Sequence, residues 1–319
     1  MKSVISILGV LGVMVLFCLP AEGLDINVLI LKEIKENGSR LSLKNSGMIH
    51  DEGAVQLGRS RLLRNVVWLD LSFHGIGDKG AKALADSKYL QNLRELNLFN
   101  NQVGVEGAKA LSSAKGFPKL EVLNLWGSRI GSDGAKALAH SKTLAHLVSL
   151  DLSGNEIGDE GVTALANSEA LKNLKSLKLG KNAISDAGLI ALAKSSHLGQ
   201  LRELDVSDND IGPEGIKGFE KMRGGIALVK LNLKRNHIGD EGVKSISQSE
   251  ALKNLEELDV QWNGVTVQGA RDLGKSKILT RLRILKLWGN EIGDEGVKAI
   301  EESSTLSNVK NPIYPSATN

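Results

Sequence analysis

Cysteine, proline and aromatic residues are scarce in this chain of 319 residues. Its single cysteine, Cys18, excludes an internal disulfide, and aromatic side chains make up only 3% of the sequence. The net charge is +3, and no run of Lys and Arg stands clear of nearby Asp and Glu, which argues against a nucleic-acid-binding face. Glycine, in contrast, is frequent at 35 residues, and its spacing is regular.

The first 23 residues have the layout of a secretory signal peptide. Lys2 supplies a positive start, the segment Val4–Leu19 is uncharged and apolar, and small residues in Pro20–Gly23 precede a predicted cleavage site ahead of Leu24. We therefore expect a secreted, periplasmic or cell-surface protein whose mature chain has no membrane span.

Two other readings of this segment remain open. A permanent anchor is disfavoured because the apolar run is shorter than the roughly 20 residues of a spanning helix. Lipidation of Cys18 is disfavoured because bulky Phe17 stands where a small residue is expected. Cleavage before Leu24 would leave no thiol, and so no cysteine nucleophile, in the mature protein.

A repeat of 27 residues runs through the rest of the sequence. It is typified by residues 150–161, Leu-Asp-Leu-Ser-Gly-Asn-Glu-Ile-Gly-Asp-Glu-Gly, with a polar slot at the sixth position and a glycine six residues later. After a first step of 28, the slot recurs every 27 residues, and nine of its ten positions are followed at this interval by the glycine. The slot is occupied by Ser46, His74, Asn101, Ser128, Asn155, Asn182, Asn209, Asn236, Asn263 and Asn290.

Each part of the repeat predicts a structural role. The Leu-x-Leu pair has the period of a strand with one buried face, and the acidic residues before the glycine suit a helix N-terminus. The slot Asn is expected to bond the backbones of adjacent repeats, and the glycine to permit close helix approach or an unusual backbone angle. We predict a capping helix within residues 24–38, ten repeats over 39–309 and a tail at 310–319.

The pattern Leu-x-x-Leu-x-Leu-x-x-Asn-x-Ile-Gly-Asp-x-Gly-x-x-x-Leu resembles the ribonuclease-inhibitor-like subclass of leucine-rich repeats. Variants reading Gly-Ala-Lys-Ala-Leu-Ala, at 80–85 and 134–139, resemble repeats of bacterial secreted and effector proteins. The resemblance implies an α/β solenoid, a curved horseshoe with parallel strands on the concave face and helices on the convex face. It does not identify a ligand.

No arrangement of residues points to catalysis or to a cofactor. The six histidines fall in different repeats without the spacing of metal ligands. The Asp-Glu pairs recur with the repeat, so we interpret them as helix caps and not as acid–base pairs. We expect a protein that is not an enzyme and has no metal site or cofactor.

The residues that vary around each strand are the candidates for function. All four tryptophans and two phenylalanines fall at positions expected to face outward on the concave side, in one patch over repeats two to four and a second near the C-terminus. Phe99 and Trp126 are 27 residues apart, so they should lie side by side on adjacent strands, roughly 5 Å apart. The predicted partner-binding residues are Trp68, Phe73, Phe99, Trp126, Lys178, Lys234, Arg235, Trp262 and Trp288.

Exposed aromatic residues on a rigid surface are typical of binding hot spots. The sequence therefore predicts a secreted scaffold that binds a partner protein, such as a host or cell-surface protein, through its concave face. A glycan or cell-wall binder is the alternative, because aromatic platforms also stack on sugar rings. The mixed charge between the two patches favours a protein partner, since a neutral glycan does not need it.

Overall fold

The computed structural model describes residues 25–221 and 227–309. In this part of the chain, short strands alternate with helices from one end to the other. The strands are β1 (Ile34–Lys35), β2 (Arg40–Ser42), β3 (Trp68–Asp70), β4 (Glu95–Asn97), β5 (Val122–Asn124), β6 (Ser149–Asp151), β7 (Ser176–Lys178), β8 (Glu203–Asp205), β9 (Lys230–Asn232), β10 (Glu257–Asp259) and β11 (Ile284–Lys286). The α-helices are α1 (Ile26–Glu33), α2 (His50–Arg59), α3 (Asp78–Ala85), α4 (Val105–Ser112), α5 (Gly131–Ala139), α6 (Gly158–Ala166), α7 (Asp186–Ala193), α8 (Pro213–Lys217), α9 (Gly239–Gln248), α10 (Val267–Gly274) and α11 (Gly293–Glu301).

All strands join one sheet in chain order, which is the topology of a solenoid. From β2 to β11 they pair in parallel, and the register places equivalent leucines side by side, as with Leu69 and Leu96. The two leucines of each strand are buried against the helix layer. Because one strand–helix unit cannot bury its own apolar face, each repeat depends on its neighbours. The predicted fold class, a leucine-rich-repeat solenoid, is confirmed.

The N-terminal cap differs from the single helix that we expected. Helix α1 ends at Glu33, and the chain then turns so that Ile34 pairs with Leu41 in an antiparallel strand. Ile26 and Ile30 of α1 are buried. The cap thus covers the first repeat in two ways: α1 packs on the core, and β1 pairs with the edge of β2, which would otherwise be free. The predicted signal peptide lies outside the described residues.

The recurrent Asn side chains form the predicted ladder between repeats. The Asn182 Oδ1 accepts the N–H of Asn155 at 3.0 Å and of Ile157 at 3.3 Å, both in the preceding repeat. Its amide donates to the carbonyls of Leu152 and Gly180. One buried side chain therefore satisfies backbone groups of two repeats, which would be costly to bury without partners.

The acidic residues cap helices, but not the helices that we expected. Asp51 lies in the first turn of α2, yet its Oδ1 accepts the N–H groups of Gly77 and Gly80 at the start of α3, both at 2.8 Å. Asp78 does the same for α4. The aspartate caps the helix of the next repeat, because adjacent helices are in register and its carboxylate reaches sideways.

This sideways cap explains the invariant spacing of the glycine. A Cβ atom on Gly80 would lie 2.6 Å from the Asp51 Oδ1 and 2.7 Å from the Ile76 Cγ2. The φ angle of Gly80 is not positive. Of the two roles considered for this glycine, close approach is therefore the one that operates.

A serine ladder on the helix side was not anticipated from the sequence. The hydroxyls of Ser141, Ser168, Ser195 and Ser276 each donate to a carbonyl at the C-terminal end of the preceding helix. The signal was present, since these serines follow the repeat glycine at a fixed interval of seven residues.

Candidate functional site

The two residues that follow the Leu-x-Leu pair form a continuous shelf where the chain leaves each strand. We call this shelf the exit ledge; from β3 to β11 its positions are 72–73, 99–100, 126–127, 153–154, 180–181, 207–208, 234–235, 261–262 and 288–289. In most repeats the middle residue of the strand is Asp or Asn, and its side chain accepts the N–H two residues on, as Asn124 does from Trp126 at 2.9 Å. This turn fixes the direction in which the ledge side chains leave the backbone.

Three aromatic rings from neighbouring repeats touch along the first part of the ledge. The ring centroids of Phe73 and Phe99 are 4.8 Å apart, and those of Phe99 and Trp126 are 5.0 Å apart, with interplanar angles of 79° and 74°. Phe73 and Trp126 are exposed, at 43% and 44%. The expected neighbouring of Phe99 and Trp126 agrees with this geometry. We call these three residues the N-terminal aromatic row.

Two tryptophans repeat the arrangement near the other end of the ledge. The rings of Trp262 and Trp288 meet edge to face, with centroids 4.6 Å apart at 86°, and both side chains are exposed. The Trp262 indole lies directly on the backbone of Gly289, where a Cβ atom would come within 2.3 Å of the ring. We call Trp262 and Trp288 the C-terminal tryptophan pair.

Trp68 does not join either group, although we placed it in the first patch from the sequence. It opens β3, at the opposite end of the strand from the ledge, and is paired in register with Arg40 and Glu95. The Arg40 guanidinium covers its ring at 4.2 Å from the centroid. The sequence positions "before" and "after" the leucines belong to different edges of the face, which the first prediction merged.

The predicted cationic residues lie between the two aromatic groups but in different surroundings. Arg235 is exposed on the ledge beside Trp262, with its guanidinium 6.0 Å from that ring centroid and 3.4 Å from the Asp208 carboxylate. Lys234 precedes it on the ledge and is half-buried. Lys178 stands in the middle of the sheet, where it borders a cavity of about 160 Å³ with residues from β8 to β11.

Opposite charges interlock on the last strands. The Lys286 ammonium lies 2.9 Å from the Glu257 carboxylate and 3.6 Å from that of Asp259. The Lys286 hydrogen bond lowers the pKa of Glu257, whereas burial raises the pKa of Asp259 and of Asp151. These pairs hold the concave surface together and occupy the carboxylates there.

The second ledge position has an unusual backbone conformation. Its φ angle is positive in repeat after repeat, and its N–H donates to the carbonyl of the next repeat, as from Phe73 to Phe99 at 3.0 Å and from Trp262 to Trp288 at 3.0 Å. Glycine fills the position at 127, 154 and 289, but Phe73 has φ 64° and Trp262 has φ 56°.

A non-glycine residue in this region costs about 1–2 kcal/mol, and a bulky aromatic side chain is rare there. Local strain of this kind concentrates at functional sites. A groove lies beside each of these strained aromatic residues: one of about 480 Å³ next to Phe73 and one of about 540 Å³ next to Trp262.

Two further searches bear on other kinds of site. Within the described ranges, no three His, Cys, Asp or Glu side chains are grouped so that they could hold a metal ion. In the same part of the chain, no helix is long and apolar enough to cross a membrane.

Comparison with known proteins places these features in a family. The family model described as "Leucine Rich repeat" matches nine segments that together make up more than half of the chain, at residues 64–85, 89–112, 118–139, 143–166, 170–193, 201–219, 228–247, 251–274 and 280–300. A search of curated proteins found no match.

Solved structures show the same architecture at low identity. A leucine-rich-repeat protein of Leptospira interrogans superposes with a TM-score of 0.53 at 23% identity, covering 78% of this chain and 55% of its own. The chain thus spans about half of that protein. An internalin (inlF) of Listeria monocytogenes gives a TM-score of 0.47 at 21% identity, covering 88% of this chain and 87% of its own.

A TLR13 chain, solved in complex with the RNA ssRNA13, gives a TM-score of 0.47 at 24% identity and covers 76% of this chain and 31% of its own. At these identities the likeness concerns the fold. The repeat segments, the parallel sheet and the Asn ladder lead to one conclusion: this chain belongs to the leucine-rich-repeat family.

Proposed function

We propose that this protein is an exported, non-enzymatic scaffold that binds a partner protein through its concave face, with the exit ledge as the main contact. Leucine-rich-repeat proteins are typically scaffolds of this kind, and the fold is a common protein-binding surface. Export is supported by the charged start, apolar run and small residues at the N-terminus.

The N-terminal aromatic row carries the proposal. In a chain with only 3% aromatic residues, three rings are aligned on adjacent repeats and left open to solvent. Aromatic side chains have no need of this place for packing, because the core is built from leucines. Clustered, exposed aromatic residues on a rigid surface are the residues that dominate binding energy in protein interfaces.

The ring geometry favours a protein over a neutral glycan. A sugar stacks on the open face of an aromatic ring, but the rings of the row meet edge to face, so each contact covers part of a face. The rings instead present mixed edges and faces beside a groove, which suits apolar side chains.

The test is capture of partners from a protein extract and, in parallel, from a glycan array, with the double variant Phe99→Ala/Trp126→Ala as the comparison. We expect a protein ligand whose affinity for the double variant falls by about 2 kcal/mol or more, or about 30-fold. Tyr89→Ala, in the loop after α3, is the matched control and should bind like the wild type.

Both variants must unfold at the same denaturant concentration as the wild type to within the error of the measurement. A partner that binds the double variant with unchanged affinity would refute the assignment of the row. Binding to glycans alone would replace the protein-binding proposal by the glycan-binding one.

A further inference from the structure

The two aromatic groups lie on the same shelf, so a single ligand can reach both. Trp126 follows β5 and Trp262 follows β10, which places them five strand spacings apart along the exit ledge. At about 4.8 Å per strand this separation is roughly 24 Å. An extended peptide advances about 3.3 Å per residue, so about seven residues cover the distance.

The surface between the two groups carries lysines without partners. Lys175, Lys178 and Lys181 cross the concave face along the β7 repeat, and we call them the lysine line. Within residues 25–221 and 227–309, none of the three lies within 4.0 Å of a carboxylate. This contrasts with Lys286, which occupies the equivalent place on β11 and is held by two carboxylates.

The nearby carboxylates are engaged in the scaffold. The Asp151 and Asp205 side chains accept the N–H groups of Ser153 and Ser207, and Asp205 also accepts from the Asn232 amide. Asp208 on the ledge pairs with Arg235. The acids that flank the lysine line are therefore committed, while its ammonium groups remain available.

Lys178 also interrupts a structural pattern. The neighbouring strands have Asp151 and Asp205 at this position, where the side chain fixes the turn onto the ledge. A lysine cannot accept that hydrogen bond, and no compensating contact of its ammonium group is found in the described residues. Its presence has no structural explanation and is consistent with a contact to a ligand.

We propose that the partner presents an extended acidic segment, with apolar anchors about seven residues apart that bind the N-terminal aromatic row and the C-terminal tryptophan pair. Its carboxylates meet the lysine line between these anchors. This inference rests on the proposed function and specifies the partner's chemistry at the same site. Charge complementarity of this kind sets partner choice and association rate.

The test uses synthetic peptides with a leucine pair at each end and seven intervening residues. Three of these seven are Glu, Gln or Lys in otherwise identical sequences, and a fourth peptide keeps the Glu residues but shortens the spacing to three. We expect the Glu peptide to bind the protein about tenfold more tightly than the Gln peptide at low salt, since three exposed ion pairs form. The Lys peptide and the short peptide should bind more weakly still.

Two charge-matched double variants separate the lysine line from general charge. In Lys178→Ala/Lys181→Ala, the Glu peptide should fall to the affinity of the Gln peptide, whose own affinity should not change. Lys172→Ala/Lys253→Ala removes two exposed lysines from the turns that precede β7 and β10, and should leave all affinities unchanged.

Three results would overturn the inference. They are equal binding of the Glu and Lys peptides, no binding by any peptide, and binding of an anionic polysaccharide such as polygalacturonate without binding of the Glu peptide. The proposed function has a separate fate: a captured protein lost with Phe99→Ala/Trp126→Ala but retained by the lysine variant would uphold the scaffold and reject the acidic segment.

Discussion

Replacing Gly289 by alanine should disturb the C-terminal tryptophan pair in a way that one control isolates. Gly289 has φ 77°, and an added Cβ would lie 2.3, 2.6 and 2.8 Å from three atoms of the Trp262 ring. The indole must therefore move. Gly264 offers the matched control, because its φ is 69° and nothing lies within 4 Å of the Cβ position.

The structure determines the expected magnitudes. Both substitutions carry the cost of a Cβ in the left-handed region, about 1–2 kcal/mol each. Gly289→Ala also breaks the edge-to-face contact of Trp262 with Trp288, worth about 0.5–1.5 kcal/mol. We therefore expect Gly289→Ala to lower the free energy of unfolding by about 1 kcal/mol more than Gly264→Ala.

Denaturant unfolding measures this difference, and near-ultraviolet circular dichroism reports the tryptophan geometry. The spectrum should change in Gly289→Ala and stay the same in Gly264→Ala. In a Trp262→Ala background the difference between the two glycine substitutions should vanish, because the clash is gone. Equal destabilisation of the two variants, with unchanged spectra, would refute the packing of Trp262 on Gly289.

Two further predictions concern the ladder. Asn182→Ala should lower the free energy of unfolding by about 3 kcal/mol or more, because it leaves several buried backbone groups without partners; Asn173→Ala, which removes one exposed hydrogen bond, should cost less than about 1 kcal/mol in the same denaturation assay. His74 fills the Asn slot of the second repeat with both ring nitrogens buried and unbonded, and burial lowers its pKa despite the nearby Asp70. The unfolded state therefore binds a proton more readily, so stability should fall as the pH drops below about 6.5; unfolding curves of His74→Asn should lack this component, and an identical pH dependence in both proteins would contradict the assignment.

The repeat pattern was sufficient to predict most of the scaffold. Burial of alternate leucines, repeat length and strand order follow from local periodicity, because each unit meets only its neighbours at a constant offset of 27 residues. For the same reason the contact of Phe99 with Trp126 could be predicted from their spacing alone. The Asn ladder followed too, since a polar side chain recurring beside buried leucines must find backbone partners.

What the sequence left open depends on direction and on contacts between repeats. Only the tertiary structure shows that Asp51 caps the helix of the following repeat, because the sideways reach of a carboxylate is not encoded in its position along the chain. It also separates Trp68 from the N-terminal aromatic row, since strand entry and strand exit lie at opposite edges of one face. The chain sequence alone determined that a leucine-rich-repeat solenoid would form. Which variable residues meet on the exit ledge was decided by the turn after each strand, whose positive φ angle no local pattern of glycine reveals where Phe73 and Trp262 occupy it.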